Sequence, residues 1–186
     1  IDVPAELLAM RAAAATVPAG CEDFLATVRA GGSPAPVQIA MDDVALMTYT
    51  SGTTGLPKGA MLTYGNALFK TAAAAQCNGV RGDDVLLSVA PLYHIAGMVM
   101  GVNVPVFTGA TSVLMYRFDP LGVAQALERH RVGWWYSIAP MNAALMQVPG
   151  LRERDLTALR MNPVTSFGIT LTEALAQQWK QFAPNC

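Results

Sequence analysis

Charged side chains are scarce in this 186-residue chain, where they make up 13% of the residues and 12 basic side chains nearly balance 13 acidic ones. Proteins that bind nucleic acid usually show clustered Lys and Arg, so this balance predicts no nucleic-acid partner. The hydrophobic share of 53% excludes a disordered chain, which buries too little apolar surface to offset its ordering entropy. We therefore expect a folded protein whose partners are not polyanions.

Cysteine is scarce as well. Cys21, Cys77 and Cys186 are odd in number and far apart, and none belongs to a Cys-x-x-Cys pair. This pattern excludes a disulfide framework and a cysteine-rich zinc site. It predicts a reducing, cytoplasmic location.

One uncharged stretch, residues 85–116, is long enough to span a bilayer. It is interrupted by Pro91, Gly97 and Pro105 and contains the ionisable His94. We interpret it as a buried strand, a helix and a second strand, and expect no transmembrane segment. The composition leaves room for peripheral membrane contact and leaves the oligomeric state open.

Short apolar runs alternate with longer helix-forming runs along most of the chain. The predicted strands cover residues 44–49, 85–89, 111–116, 133–138 and 159–166, and the predicted helices cover 63–76, 94–102, 119–129, 140–148 and 171–182. This alternation indicates an α/β protein with layered, mostly parallel sheets and helices on both faces. Residues 1–40 differ in composition, and we expect an irregular lead-in with a helix over 4–15, followed by the domain proper at 41–186.

The strongest motif is a loop rich in Gly, Ser and Thr that follows the first predicted strand. It reads Thr50-Ser51-Gly52-Thr53-Thr54-Gly55-Leu56-Pro57-Lys58-Gly59. The glycines allow close approach of the backbone to a ligand, and the hydroxyl and N–H donors suit an anion. Lys58 adds a mobile positive charge. The loop is not a Walker A motif, which would need Gly at 57 and Ser or Thr at 59; a flexible linker is the alternative interpretation.

This loop resembles the phosphate-loop signature of the acyl-adenylate-forming (AMP-binding) enzymes. These include acyl-CoA synthetases, aryl-CoA ligases, firefly luciferase and the adenylation domains of peptide synthetases. The resemblance implies that every residue of the loop except Leu56 contributes to binding ATP, that Thr54 ligates Mg²⁺, and that Lys58 also serves catalysis. It further implies the fold of the large N-terminal domain of such enzymes.

A second segment, Pro91-Leu-Tyr-His94-Ile-Ala-Gly97, is similar to the family's Pro-Leu-aromatic-His-x-x-Gly stretch. That similarity implies that His94 lies near the substrate carboxylate, and it suggests that Met98 and Met100 face an acyl tunnel. On its own, a lone His in an apolar run is more often a hydrogen-bonded core residue, and only the family resemblance reverses that preference for His94. Residues 85–116 contain no Asp, which amino-acid-activating members use to hold an ammonium group. The resemblance therefore implies a fatty or aryl acid.

A third segment is less similar to the family. Ser166, Gly168 and Leu171 match a Ser-Gly-Gly-Ala-Pro-Leu-like turn that contacts adenine, whereas residues 167, 169 and 170 depart from it. The resemblance implies a nucleotide contact by Ser166 and Gly168. A Thr at 170 or 172 is also a candidate cap for the helix that follows.

Two residue pairs receive purely structural interpretations. Trp134 and Trp135 lie on a predicted strand, so we expect at least one of them in the core. Asp83 and Asp84 are expected to form a solvated turn.

Together these features predict an internal piece of an ATP-dependent acyl-CoA synthetase, with ATP, Mg²⁺ and coenzyme A as cofactors. In the family, a magnesium-binding Glu, a hinge and a small mobile domain with a catalytic Lys follow the position of Cys186. We therefore expect the 186 residues alone to be inactive. The alternatives are a non-catalytic nucleotide-binding module, and a luciferase-like or peptide-synthetase-like enzyme with a different second step.

Overall fold

A computed structural model describes residues 17, 19–33, 35–50, 55–166 and 168–186. The chain divides into two units, Ile1–Ile39 and Ala40–Cys186. In the first unit, helix α1 (Phe24–Ala30) begins after Asp23, whose carboxylate accepts a hydrogen bond from the Ala26 N–H at 2.6 Å. The predicted helix over 4–15 lies outside the described residues.

The second unit contains alternating strands and helices, and its strands form three separate sheets in the described residues. In chain order, its elements are β1 (Val44–Tyr49), β2 (Gly59–Thr63), α2 (Tyr64–Cys77), β3 (Val85–Ser88), α3 (Ile95–Met98), a π-helical turn (Val99–Asn103), α4 (Val104–Thr108), β4 (Thr111–Leu114), α5 (Pro120–Arg129), β5 (Trp134–Trp135), β6 (Ser137–Ile138), α6 (Ala139–Leu145), a 3₁₀ turn (Leu151–Glu153), β7 (Val164–Thr165) and α7 (Glu173–Lys180). Strands β1 and β2 form an antiparallel pair, β4–β3–β5 a parallel sheet, and β6–β7 a parallel pair. The α/β prediction with mostly parallel sheets is confirmed.

The sheet β4–β3–β5 is buried on both faces. Leu86 and Trp134 pack in one core cluster with residues of α2 and α4, whereas Leu87 and Trp135 pack in another with residues of α5 and α6. Neighbouring residues on a strand point to opposite faces of the sheet, so Leu86 and Leu87 on β3 contribute to different clusters. Trp134 and Trp135 on β5 do the same. The prediction of helices on both faces is confirmed, and both tryptophans belong to the core.

Strand β2 was not predicted from the sequence, in which residues 59–63 read as the end of a loop. These residues pair with β1, with Tyr49 opposite Gly59. Gly and Ala have low β-propensity, so β2 forms because it pairs with β1 and not because of its own sequence. Thr63 ends β2 and caps α2 as predicted, because its Oγ1 accepts from the Asn66 N–H at 3.2 Å and the Asn66 Oδ1 accepts from the Thr63 N–H at 3.1 Å.

The helical segment after β3 runs past the predicted end at residue 102 and continues through Pro105 to Thr108. A proline inside a helix leaves the carbonyl four residues before it without its usual N–H partner. Here that carbonyl belongs to Gly101, and the Ser112 hydroxyl donates to it at 2.7 Å. A π-helical turn just before Pro105 provides further adjustment. In the part of the chain described, no helix is long and apolar enough to cross a membrane.

Two predicted strands are shorter or divided. The run 133–138 splits at Tyr136, because β5 pairs with β3 whereas β6 pairs with β7. The run 159–166 contributes only β7 and an isolated bridge between Met161 and Trp134. Which strand each half pairs with depends on segments far away in the sequence. The pattern of apolar residues within 133–138 therefore does not show the change of pairing partner.

Asp84 corrects the prediction of a solvated turn. Its carboxylate lies 2.5 Å from Nη2 of Arg160 and accepts from the Arg81 N–H at 2.7 Å, and the side chain is only 10% exposed. Burial opposes ionisation, but the hydrogen bond and charge of Arg160 and the Arg81 N–H outweigh it and lower the pKa of Asp84 below its ordinary 3.8. The ion pair ties the turn before β3 to the segment that leads into β7.

We predict that Asp84→Asn lowers the free energy of unfolding at pH 7 by about 1–2 kcal/mol, since Arg160 is partly solvated and the pair is screened. Because the folded-state pKa of Asp84 is depressed, its contribution is complete above pH 3.8 and disappears as the pH falls through the folded-state value. Urea unfolding followed by tryptophan fluorescence, at pH 7 and in acid, measures both effects. Asp83→Asn, at an exposed neighbour, is the matched control; an equal loss in both variants would contradict the prediction.

Candidate functional site

The predicted phosphate loop is the connection of the β1–β2 hairpin. The Thr50 N–H donates to the Lys58 carbonyl at 3.0 Å, one step beyond the Tyr49–Gly59 pair. Gly55, Pro57 and Lys58 are exposed, while residues 51–54 lie outside the described residues. The loop is therefore held at both ends by a strand pair, whereas the sequence suggested a strand followed by a loop and a helix. Its anchoring does not support the flexible-linker interpretation.

Thr54, the predicted magnesium ligand, is one of the residues outside the description. Elsewhere in the described ranges, no group of three or more His, Cys, Asp or Glu side chains is placed to hold a metal ion. The metal role of Thr54 stays a prediction.

His94 lies just after β3, in the turn that leads into α3. Its backbone N–H donates to the Pro91 carbonyl at 3.0 Å, and its Nδ1 accepts from the Ala96 N–H at 3.2 Å. A nitrogen that accepts a hydrogen bond carries no proton, so the neutral ring is protonated at Nε2. In the described residues His94 is exposed and is not part of a core. His94 thus has an oriented Nε2–H donor.

Gly97 makes this turn possible through a close approach of backbone to backbone. A Cβ at this position would lie 2.7 Å from the Ala90 carbonyl oxygen and closer still to that of Pro91. Real Cβ atoms do not tolerate such contacts with backbone, so only glycine lets α3 pack onto the turn. The glycine of the Pro-Leu-aromatic-His-x-x-Gly pattern therefore has a direct structural role beside His94.

A cavity of about 340 Å³ lies between α2 and the helical segment that follows His94. Residues of α2 at positions 70, 73, 74 and 77 contribute one helix face, and the residues directly after His94 contribute the facing wall. Met100 lines the cavity as expected for an acyl tunnel, whereas Met98 is absent from its described lining. The cavity walls include Lys70, Ala73, Ile95, Ala96, Met100, Trp134 and Tyr136.

The α2 face of this cavity was missed in the sequence. The spacing of 70, 73, 74 and 77 was readable as one helix face. Because α2 is rich in Ala on several faces, however, no contrast between apolar and polar residues marked the side that lines the cavity.

Ser166 and Gly168 lie in the loop between β7 and α7. The Ser166 Oγ accepts from the Leu171 N–H at 3.0 Å and closes the loop, and the backbone of Gly168 has φ +81°. A Cβ on Gly168 would lie 3.4 Å from Cγ of Pro140 in α6. Residue 167 lies outside the description. Thr172 caps α7 by accepting from the Leu175 N–H at 3.2 Å, so it is the cap that the sequence left open between 170 and 172.

Helix α2 links the separate predicted segments. It starts at the residue after β2, so it extends directly from the hairpin, and its face forms the cavity wall opposite the residues that follow His94. The predicted residues therefore fall into three places: the hairpin connection, the turn after β3, and the loop after β7. Gly168 comes close to Pro140, which lies four residues after Tyr136 of the cavity wall.

Residues 4–186 match the family model described as AMP-binding enzyme. The chain belongs to this family. It is 37% identical over 144 residues to a feruloyl-CoA synthase of Amycolatopsis sp., which covers 77% of this chain and 28% of that protein. It is 32% identical over 152 residues to 4-coumarate–CoA ligase 2 of Nicotiana tabacum, with coverage of 78% and 28%. The chain thus spans less than a third of the length of these relatives.

The solved structures support the same conclusion about the fold of this AMP-binding chain. The ATP-bound structure of MatB from Rhodopseudomonas palustris matches with a TM-score of 0.74 at 26% identity, over 86% of this chain and 31% of that one. The predicted family and the predicted fold, part of the large domain of an adenylate-forming enzyme, are confirmed.

We predict that Gly97→Ala destabilises the protein by about 1–3 kcal/mol, because the new Cβ forces α3 away from the turn at Ala90 and Pro91. Urea unfolding measures the loss. Gly133→Ala is the matched control, since a Cβ there would meet its nearest neighbours at 3.7 Å, an ordinary contact. Equal stability of the two variants would show that the close approach does not constrain the turn.

Proposed function

We propose that this chain is part of an ATP-dependent ligase that activates a carboxylic acid as acyl-AMP, releases pyrophosphate and then forms a thioester with coenzyme A. The observation that carries the proposal is the cavity that begins at Ile95 and Ala96, directly after His94. An acid whose apolar part fills this cavity brings its carboxylate toward the imidazole. The names of the two relatives, a CoA synthase and a CoA ligase, support the same reaction.

In this proposal the hairpin connection binds the phosphates of ATP. Backbone N–H groups and the hydroxyls of residues 50–54 donate to phosphate oxygens, and Lys58 adds a positive charge where negative charge builds up on the leaving pyrophosphate. Interactions that strengthen as this charge develops accelerate the reaction more than they strengthen ground-state binding. Magnesium would accompany ATP and supply further positive charge, but no step is assigned to it.

His94 acts on the acid side of the site. Its Nε2–H donates to a carboxylate oxygen and holds the other oxygen toward the α-phosphorus, and the same donor stabilises the acyl-adenylate. The hydrogen bond from the Ala96 N–H fixes the ring, so the donor is oriented before substrate arrives. Ser166 and Gly168 are proposed to contact the adenine from the loop after β7.

The cavity favours an aryl acid without an α-amino group. Among the described residues that line it, Lys70 is charged and none carries a carboxylate, so an ammonium group would find no counter-ion. A volume of about 340 Å³ lies at the small end of ligand pockets, in keeping with an aromatic acid. The names of the relatives, which specify feruloyl and 4-coumarate groups, favour the aryl over the fatty class.

The remaining parts of the proposal concern the whole protein. Since the chain covers 28% of each of the two relatives, we propose that 41–186 is part of a larger AMP-binding domain and that the 186 residues alone show no turnover. A cytoplasmic location stays a prediction. A luciferase-like or peptide-synthetase-like second step and a non-catalytic nucleotide-binding module are the competing functions.

We predict that the full-length gene product, with ATP and Mg²⁺, exchanges labelled pyrophosphate into ATP only when an acid is present. In a panel of 4-coumarate, ferulate, benzoate, palmitate and phenylalanine, we expect an aryl acid to give the highest rate. His94→Ala should lower that rate roughly a hundredfold, and Lys58→Ala at least about tenfold, because each removes a donor to developing charge. His130→Ala and Lys180→Ala, at exposed positions outside the site, are matched controls. A wild-type protein without acid-dependent exchange would leave the non-catalytic module as the better explanation.

We further predict that Ala73→Phe raises the KM for the acid by roughly tenfold or more while the KM for ATP stays unchanged, because the ring fills the cavity. Ala72→Phe is the control, since the neighbouring side chain lines a separate groove next to Phe107. Steady-state thioester formation measures both constants. If Ala72→Phe and Ala73→Phe raise the KM for the acid equally, the acid does not occupy this cavity.

A further inference from the structure

Three polar side chains form a closed ring of hydrogen bonds inside the second unit. The Ser137 hydroxyl donates to Oδ1 of Asn162 at 2.6 Å, Nδ2 of Asn162 donates to Oδ1 of Asn142 at 2.8 Å, and Nδ2 of Asn142 donates to the Ser137 Oγ at 2.8 Å. Ser137 and Asn142 are buried, with 1% and 3% of their surface exposed. We call these three side chains the polar ring.

The polar ring has a single consistent orientation. Nδ2 of Asn142 also donates to the Ile138 carbonyl at 3.2 Å, so both of its hydrogens have acceptors. Turning this amide by 180° would place its oxygen against the Ile138 carbonyl oxygen and its Nδ2 against the donating Nδ2 of Asn162, so that two acceptors and two donors would face each other. Buried polar groups are costly when unsatisfied, and a fully satisfied network specifies one arrangement of the segments that carry it.

The segments that the polar ring joins also share backbone pairing. Ser137 lies in β6, Asn142 in α6, and Asn162 just before β7, and β6 and β7 pair over two positions, Ser137 with Val164 and Ile138 with Thr165. The pairing extends upstream, where the Trp135 N–H donates to the Met161 carbonyl at 3.0 Å and the Ser137 N–H donates to the Pro163 carbonyl at 3.1 Å. What the polar ring adds is a link from α6, because the hydrogen bond between Asn142 and Asn162 joins this helix to the segment just before β7.

This placement matters for the site because β7 leads directly into the loop of Ser166 and Gly168. A Cβ on Gly168 would lie 3.4 Å from Cγ of Pro140, so this loop passes close to Pro140, which is two residues before Asn142 in the first turn of α6. A shift of α6 against β7 would thus change the distance between Pro140 and Gly168.

We propose that Ser137, Asn142 and Asn162 are positioning residues that hold the loop 166–171 at its nucleotide-binding distance from α6. The proposal rests on the function proposed above, in which that loop contacts the adenine of ATP. The polar ring itself touches no substrate: it acts through the position of β7 and the close approach of Gly168 to Pro140. It therefore governs ATP affinity more than the chemical step.

The test uses Asn142→Leu, which keeps the side-chain volume, and Ser137→Ala, each in the full-length gene product. We expect the KM for ATP to rise about tenfold, with kcat and the KM for the acid within about twofold of wild type, because a small misplacement weakens one binding contact. Ser137→Thr restores a hydroxyl at the same position and should restore the KM for ATP. Ser137→Ala and Ser137→Thr are smaller changes than Asn142→Leu. If Asn142→Leu fails to fold, the KM values for ATP of the two Ser137 variants therefore test the proposal.

Val123→Ala in α5 separates positioning from general loss of stability. It removes buried volume from the core without touching the polar ring, so it lowers the melting temperature while leaving the KM for ATP unchanged. If the polar-ring variants raise the KM for ATP no more than Val123→Ala does, the proposal is wrong.

Calorimetric titration with ATP distinguishes this proposal from the proposed function. Weaker ATP binding in Ser137→Ala, recovered in Ser137→Thr, supports the polar ring even if wild type shows no acid-dependent exchange. If Ser137→Ala binds ATP as tightly as a wild type that does catalyse exchange, the positioning role of the polar ring is wrong and the proposed function still stands.

Discussion

Burial of the parallel sheet β4–β3–β5 on both faces is the constraint on which the site depends. Because both faces need an apolar cover, helices must pack on each side, and the strands alternate residues such as Leu86 and Leu87 between two cores. The carboxyl end of β3 then delivers His94, and that of β5 delivers Tyr136 to the cavity. This is the edge at which open α/β sheets place their ligands. The cavity is the gap left between two helices that cover the same face.

Side-chain hydrogen bonds stabilise the irregular parts of this framework. The Ser112 hydroxyl satisfies the Gly101 carbonyl that Pro105 leaves without its helical donor. Asp84 bonds Arg160 and the adjacent turn, and the polar ring supports a strand pair of two residues. In each case a polar group inside or beside the core compensates for a place where regular backbone pairing stops.

Much of the fold was predictable because its signals are local. Thr63 and Asp119 cap their helices as expected, and Pro120 occupies the first helical position after Asp119. The apolar strands and the glycine three residues after His94 were also recognisable. Strand β2 and the division at Tyr136 were not, because each depends on a pairing partner elsewhere in the chain. The cavity face of α2 escaped detection because alanines on several of its faces look alike.

The α/β class, the family, the helix starts and the residues of the predicted phosphate loop and of the turn after β3 were all readable from the sequence. All of these depend on residues within a few positions of one another, where capping, alternation and motif spacing operate. Three features emerged only when the elements packed: the predicted phosphate loop connects a hairpin, α2 faces the residues after His94 across a cavity, and Ser137 and Asn142 bond Asn162. The last contact joins Ser137 to a residue 25 positions away. Such contacts form when separate elements pack, and a local pattern contains no information about which distant segment will supply the partner.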